Sequence, residues 1–207
     1  MPPTPEEMPT KAKDSGLKTL DPGINYVVSG LERSGTSLMM QMLSAGGLPL
    51  AFDDLRRPDE HNPRGYFELE GGKIITRLMH KTFPMETYRG RFLKITAFGL
   101  LYLPPGKYKI IYMQRDLDEI LDSMEKMAKT TDPQREETKR SFHRLNAKVL
   151  QDLHARTDVD LLLINFNEIL RNPSAQLQEI CQFLQPYPCD YDNMLLVIDQ
   201  RLYRQRR

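Results

Sequence analysis

The stretch VVSGLERSGTS, from Val27 to Ser37, decides the fold of this 207-residue chain. Apolar residues run into a first glycine, Gly30, and a second glycine, Gly35, is followed at once by two hydroxyl residues. A strand that enters a glycine loop and leaves it in a helix is the context in which backbone amides bind phosphate groups. The frame is that of the nucleotide loop G-x-x-x-x-G-K-[ST], but threonine stands in the position of its lysine. The nearest cation is Arg33, so the stretch predicts an anion site of another kind.

The composition is that of an ordinary globular domain and excludes several functional classes. Hydrophobic residues make up 40%, charged residues 28%, and the net charge is +1, so no general charge favours nucleic acid or an acidic membrane. No apolar run reaches membrane-spanning length or resembles a signal peptide, and Cys181 and Cys189 fit a reducing compartment. These features predict a cytoplasmic protein that binds neither nucleic acid nor membrane. Residues 1–20 are predicted to be a disordered leader and residues 21–207 a single domain.

Apolar and amphipathic segments alternate along the rest of the chain. Strands are predicted at 24–30, 91–98, 108–114 and 159–166, with a further short strand at 48–52. Helices are predicted between them, at 34–47, 73–83, 116–129, 134–155 and 172–184, and at the start of the tail from residue 190. This pattern predicts an α/β fold with a mainly parallel central sheet and helices on both faces, the three-layer architecture of P-loop NTPases. Ligands of such sheets bind at the carboxyl ends of the strands.

Two further stretches, taken with the loop, match the pattern of a known family. Arg115 ends a predicted strand, and Ser123 follows eight residues later in the next helix. INFNEILRNPSAQLQEICQFL, residues 164–184, passes from a strand into a helix. In this order, with ERSGTS close to the family loop P-[KR]-S-G-T-[TS], they resemble the sulfotransferase family over roughly residues 24–185. SGLERSGTSLMMQML and NPRGYFE are most similar to compact bacterial members.

The resemblance implies a P-loop-like fold, the donor 3′-phosphoadenosine-5′-phosphosulfate and an acceptor hydroxyl or amine. The donor-binding residues that it implies are Arg33, Ser34, Gly35, Thr36 and Ser37 in the loop, with Arg115 and Ser123 for the 3′-phosphate. Arg33 is also the implied catalytic cation, since it can stabilise charge on the bridging oxygen as the sulfuryl group leaves. No metal is implied, because this donor carries no metal-bound triphosphate.

The motifs leave the general base open. Small-molecule members of the family carry a histidine in a K-T-H segment, whereas Lys94–Phe98 contains none. A base must reach the acceptor hydroxyl through a hydrogen bond. Glu68 is the predicted base, and Glu70, His61 and His80 are the alternatives.

Other departures from the family concern the edges of the site. Glu32 replaces the usual proline and is expected to point outward. The family's C-terminal R-K-G element is absent, and the arginines of the tail either fold back to replace it or form a solvated end: Arg201, Arg204, Arg206 and Arg207. Five aromatic residues either line an acceptor pocket or pack as a cap over the sheet: Phe52, Tyr66, Phe67, Phe83 and Tyr88. The pocket is either open to a large acceptor or completed by a second subunit in a homodimer.

Two other functions compete with a sulfotransferase. An atypical P-loop kinase or NTPase is disfavoured by the missing lysine and by the lack of a clear Mg²⁺-binding acid, for which Asp116 is the nearest candidate. A non-catalytic nucleotide-binding homologue is motivated by Glu32 and by the missing histidine. For the sulfotransferase, removal of Arg33, or of Arg115 with Ser123, is expected to abolish donor use while the fold survives.

Overall fold

A four-stranded parallel sheet forms the centre of the molecule. The computed structural model describes residues 20–53, 55–60, 62 and 65–198. The strands lie in the order β2-β1-β3-β4 across the sheet, and their bounds are β1 Asn25–Gly30, β2 Phe92–Lys94, β3 Tyr108–Gln114 and β4 Val159–Asn165. Every neighbouring pair is parallel, so the carboxyl ends of all four strands lie along one edge. The predicted parallel sheet is therefore confirmed.

Helices cover both faces of this sheet. They are α1 Thr36–Ala45, α2 Ile74–Met79, α3 Ala97–Leu100, α4 Leu117–Ala128, α5 Arg135–His154, α6 Phe166–Arg171, α7 Pro173–Phe183 and α8 Tyr191–Leu196, with short 3₁₀ helices at Glu70–Gly72 and Met85–Tyr88. Tyr26 and Val28 of β1 pack in a core cluster with α1, α6, α7 and α8. Val27 packs in a second cluster with α2 to α5, because successive side chains of a strand point to opposite faces. The two clusters confirm the predicted three-layer architecture.

Local signals in the sequence set several helix starts. The Asp116 carboxylate accepts a hydrogen bond from the backbone amide of Glu119 at 3.1 Å, and α4 begins at Leu117. Asn165 caps α6 in the same way, and Pro173 opens α7. These are positions where a short polar side chain or a proline stabilises a first helical turn.

Several predicted boundaries differ from the structure: for example, the helix predicted at 73–83 is Ile74–Met79, and the helix Phe166–Arg171 was not predicted. The strand expected at 91–98 ends at Lys94, and α3 begins at Ala97, because apolar residues continue into the core after the chain has turned. The segment 48–52 forms only an isolated bridge between Leu50 and Phe92. Leu20, placed in the predicted leader, is 1% exposed and belongs to the core. Among the described residues, none of the helices is long and apolar enough to cross a membrane.

Candidate functional site

A cavity of about 370 Å³ lies at the carboxyl edge of the sheet. Each strand leads to a residue in its wall. Arg33 follows β1, Lys94 ends β2, Arg115 follows β3 and Phe166 follows β4. Since parallel α/β sheets hold their ligands at this edge, the cavity is the candidate site.

The loop between β1 and α1 borders one end of the cavity. Gly35, Thr36 and Ser37 line it, and the N-terminus of the ten-residue α1 adjoins it, where the helix dipole favours an anion. Ser34 is a buried residue of the same loop. Its amide donates to the carbonyl of Leu31 at 3.2 Å, and its hydroxyl is buried. Of the seven predicted donor-binding residues, all of them described, Ser34 is the one that does not line the cavity.

Gly35→Ala is expected to lower the free energy of unfolding by about 2–4 kcal/mol. Gly35 has a φ of 101°, and an added Cβ would overlap the Phe166 ring. Urea unfolding of the variant and the wild type measures the loss. Gly71→Ala is the matched control, because Gly71 has a φ of 61° but no atom within 4 Å of the added Cβ. Equal stabilities of the two variants would contradict the packing role of Gly35.

Three predicted site residues from distant parts of the chain meet beside the loop. Arg33 Nε donates to Ser123 Oγ at 3.0 Å, and Arg115 Nη1 donates to the backbone carbonyl of Arg33 at 3.0 Å. Arg33 makes no ion pair within the described residues. Burial, with contributions from the neighbouring cations Arg115 and Arg56, lowers the pKa of Arg33 from its ordinary value. A partly buried guanidinium without a carboxylate partner favours the binding of an anion.

Arg115 also has a structural role. Its Nε forms an ion pair with Glu119 at 3.0 Å, and the two side chains are only 7% and 3% exposed. Asn167 donates to the other carboxylate oxygen of Glu119 at 3.0 Å. Loss of Arg115 would leave a buried carboxylate without its cation, which is strongly destabilising. Removal of Arg115 is therefore expected to lower stability as well as donor use, a cost that the motif alone does not indicate.

Lys94 supplies a cation that the sequence analysis did not assign. Its Nζ donates to Ser37 Oγ at 3.0 Å, to the carbonyl of Tyr66 at 2.8 Å and to Glu68 Oε1 at 2.9 Å, and the side chain is 6% exposed. In the sequence Lys94 lies inside the strand predicted at 91–98, and only the structure shows that the strand ends at Lys94, at the edge where ligands bind. The ammonium group that the loop lacks in its own sequence thus comes from the neighbouring strand.

Glu68, the predicted base, lines the cavity but is held by two cations. Its Oε1 accepts from Lys94 and its Oε2 accepts from Arg56, both at 2.9 Å. Burial alone would raise the pKa of Glu68, but the two cations outweigh burial and hold that pKa below its ordinary value. Glu68 is therefore a weak base in this arrangement.

Two other candidate bases, Glu70 and His80, do not line the cavity. Glu70 pairs with Arg77, and His80 lies at an exposed position directly after α2. His61 lies outside the described residues. Among the three candidates that the structure describes, Glu68 is the one that the geometry favours. Within the part of the chain that the structure describes, no group of three or more His, Cys, Asp or Glu side chains could hold a metal ion.

The edges of the cavity clarify two open points. Glu32 is exposed, as expected, but it also borders the cavity.

Of the five predicted aromatic residues, Tyr66 lines the cavity, with the Arg56 guanidinium carbon 3.6 Å from its ring centroid. The other four pair outside the cavity wall: Phe83 with Tyr88 at 5.4 Å and Phe52 with Phe67 at 5.1 Å. The cavity wall also includes Gly71, Gly72, Ile74, Ile75 and Ile95. The tail arginines lie outside the described residues.

Comparison with known proteins gives structural likeness alone. No protein-family model and no curated protein sequence matches this chain. Among solved structures, the chain is similar to the sulfotransferase domain from the Synechococcus PCC 7002 olefin synthase, with a TM-score of 0.54 and 18% identity over 90% of this chain and 79% of that one. The sulfotransferase domain from the curacin biosynthetic pathway also matches, with a TM-score of 0.42 and 13% identity over 84% and 77% of the two chains. The first likeness shows a sulfotransferase-like fold.

Proposed function

We propose that this chain is a sulfotransferase that moves the sulfuryl group of 3′-phosphoadenosine-5′-phosphosulfate to a hydroxyl or amine of an acceptor. The observation that carries the proposal is the meeting of Arg33, Arg115 and Ser123 beside the N-terminus of α1. Arg33 is more than 80 residues from the other two in the sequence, and the approach of the three is what a donor with two separate anionic groups requires. The sulfotransferase-like fold supports the same class.

In this proposal the two anionic groups of the donor bind at different parts of the cluster. Gly35, Thr36 and Ser37 hold the 5′-phosphosulfate at the start of α1, where backbone amides and hydroxyls favour an anion. Arg115 and Ser123 hold the 3′-phosphate through charge-assisted and hydroxyl hydrogen bonds. The hydroxyl of Ser123 already accepts from Arg33, so the two subsites share a border.

The chemical step places Arg33, Lys94 and Glu68 around the reacting group. The acceptor oxygen or nitrogen forms a bond to sulfur, and the bond from sulfur to the bridging phosphate oxygen breaks. Arg33 and Lys94 stabilise the negative charge on the departing bisphosphate. Glu68 takes the proton of the acceptor once its carboxylate is no longer bound by both cations. No metal ion takes part in this scheme.

Adenosine 3′,5′-bisphosphate is expected to stabilise the protein against heat, and ATP with Mg²⁺ is not. A ligand at about one hundred times its dissociation constant adds about 2.7 kcal/mol. For a chain of this length that corresponds to a rise in Tm of about 5–10 °C. A thermal-shift titration with the two ligands side by side measures the difference.

Each alternative function gives its own result in this titration. Stabilisation by ATP with Mg²⁺ alone would indicate a P-loop NTPase and contradict the donor site. Stabilisation by the bisphosphate, without sulfuryl transfer to any of a wide panel of phenols, alcohols and amines, would favour a non-catalytic homologue. Failure of both ligands would contradict nucleotide binding at this cavity.

A further inference from the structure

Three side chains that line the cavity form a group of two ion pairs with a shared carboxylate, which we call the clasp: Lys94, Glu68 and Arg56. The carboxylate of Glu68 lies between the two cations and accepts a hydrogen bond of 2.9 Å from each. The Lys94 and Glu68 side chains are 6% and 11% exposed, whereas Arg56 is 41% exposed. The clasp therefore connects a buried cation beside the loop with a cation nearer to solvent.

The clasp occupies the hydrogen-bonding capacity of Lys94 completely. An ammonium group has three donors, and those of Lys94 go to Ser37 Oγ, the Tyr66 carbonyl and Glu68 Oε1. The first two acceptors are neutral. Among the described residues, Glu68 is thus the one anion that accepts a hydrogen bond from Lys94. An anion bound at Ser37 would compete with Glu68 for the same ammonium group.

The clasp occupies Glu68 as well. Each of its oxygens accepts from a cation, and the same two cations hold the Glu68 pKa low, so the carboxylate is a poor proton acceptor for an acceptor hydroxyl. In this state the site has neither a fully available cation for the donor nor an effective base for the acceptor.

Two glycines of the cavity wall differ in how closely they approach the clasp. A Cβ on Gly72 would lie 2.9 Å from Glu68 Oε2, and Gly72 has a φ of 87°, so the carboxylate packs directly against this glycine. A Cβ on Gly71 would meet no atom within 4 Å, so the position beside Gly71 is open. Both glycines line the cavity, as Ile75 does.

We propose that Glu68 takes the place of a donor anion while the cavity is empty, and that the donor displaces it from Lys94 and Arg56. This inference rests on the proposed function. When the phosphosulfate binds, Lys94 and Arg56 pair with the donor instead of with Glu68. The released carboxylate then acts as the base toward the acceptor. The arrangement makes productive acceptor binding follow donor binding, because the base becomes available only after the donor has entered.

Glu68→Gln tests the displacement directly. The substitution keeps the shape of the side chain and removes the anion that competes with the donor. By the reciprocity of coupled binding, the variant is expected to bind 3′-phosphoadenosine-5′-phosphosulfate or adenosine 3′,5′-bisphosphate about fivefold or more tightly than the wild type. Calorimetric titration of both ligands measures the affinities, and a role of Glu68 in folding alone would not produce tighter binding.

Glu70→Gln is the matched control, because Glu70 pairs with Arg77 outside the cavity wall and its variant should bind with wild-type affinity. An unchanged or weaker affinity of Glu68→Gln for both ligands would overturn the displacement, whether the variant is stable or not. The donor site itself is judged by the wild type. If the wild type binds neither ligand, the proposed function fails and this inference fails with it.

Discussion

Arg33→Ala is expected to slow sulfuryl transfer by a factor of about 10²–10³, the usual effect of removing one group that stabilises a developing negative charge. In the structure the side-chain hydrogen bonds of Arg33 among the described residues go to the Ser123 hydroxyl and the Met127 sulfur. The loss of those contacts should cost little stability, about 1 kcal/mol or less. The effect should therefore fall on kcat more than on folding or on donor affinity.

The release of adenosine 3′,5′-bisphosphate from the donor measures this effect, with and without a mixed panel of phenols, alcohols and amines. Arg33→Lys is the matched variant, since it keeps the charge but not the bidentate geometry of the guanidinium. We expect its rate of sulfuryl transfer to fall about tenfold. Both variants retain the left-handed backbone at position 33, where φ is 65°. Transfer by Arg33→Ala at close to the wild-type rate would remove Arg33 from the catalytic role.

The parts of the fold that the sequence predicted well are those set by local pattern. The strand at 108–114 was predicted with the bounds that β3 has, because it is a mainly apolar and β-branched segment between a Pro-Pro-Gly turn and a charged residue. Asp116 directly precedes an amphipathic segment and caps α4, as a short acidic residue in that position usually does. The strand at 91–98 was predicted too long, since apolar residues fill the core equally well from a strand and from the helix that follows it.

The site residues that belong to sequence motifs could be predicted. Those that come together only through the fold could not. The loop, Arg115 and Ser123 follow a family spacing, and the structure brings them together. Lys94 and Arg56 follow none, because their approach to Glu68 depends on β2 lying beside β1 and on the path of the chain between α1 and α2. The hydrogen bonds that hold Glu68 as a weak base join residues 12 and 26 positions away, so sequence reasoning could propose the base but not its ionic state.

Arg115→Ala is expected to have the largest combined effect, on both stability and donor binding. It leaves the Glu119 carboxylate, in a residue only 2% exposed, without its cation, and such losses cost about 3–5 kcal/mol. It also removes a proposed partner of the 3′-phosphate, which should weaken bisphosphate binding by roughly 30- to 1,000-fold. Urea unfolding and calorimetric titration measure the two effects separately.

The double variant Arg115→Ala with Glu119→Gln separates the structural role of Arg115 from its binding role. Glutamine removes the buried negative charge that Arg115 balanced, and it can still accept the hydrogen bond from Asn167, so most of the lost stability should return. Bisphosphate binding should stay as weak as in Arg115→Ala, because the guanidinium is still absent. Ser123→Ala completes the set: it should weaken binding while stability stays close to the wild type. Recovery of full binding in the double variant would show that Arg115 acts only through the fold, and the 3′-phosphate would have to be assigned to other residues.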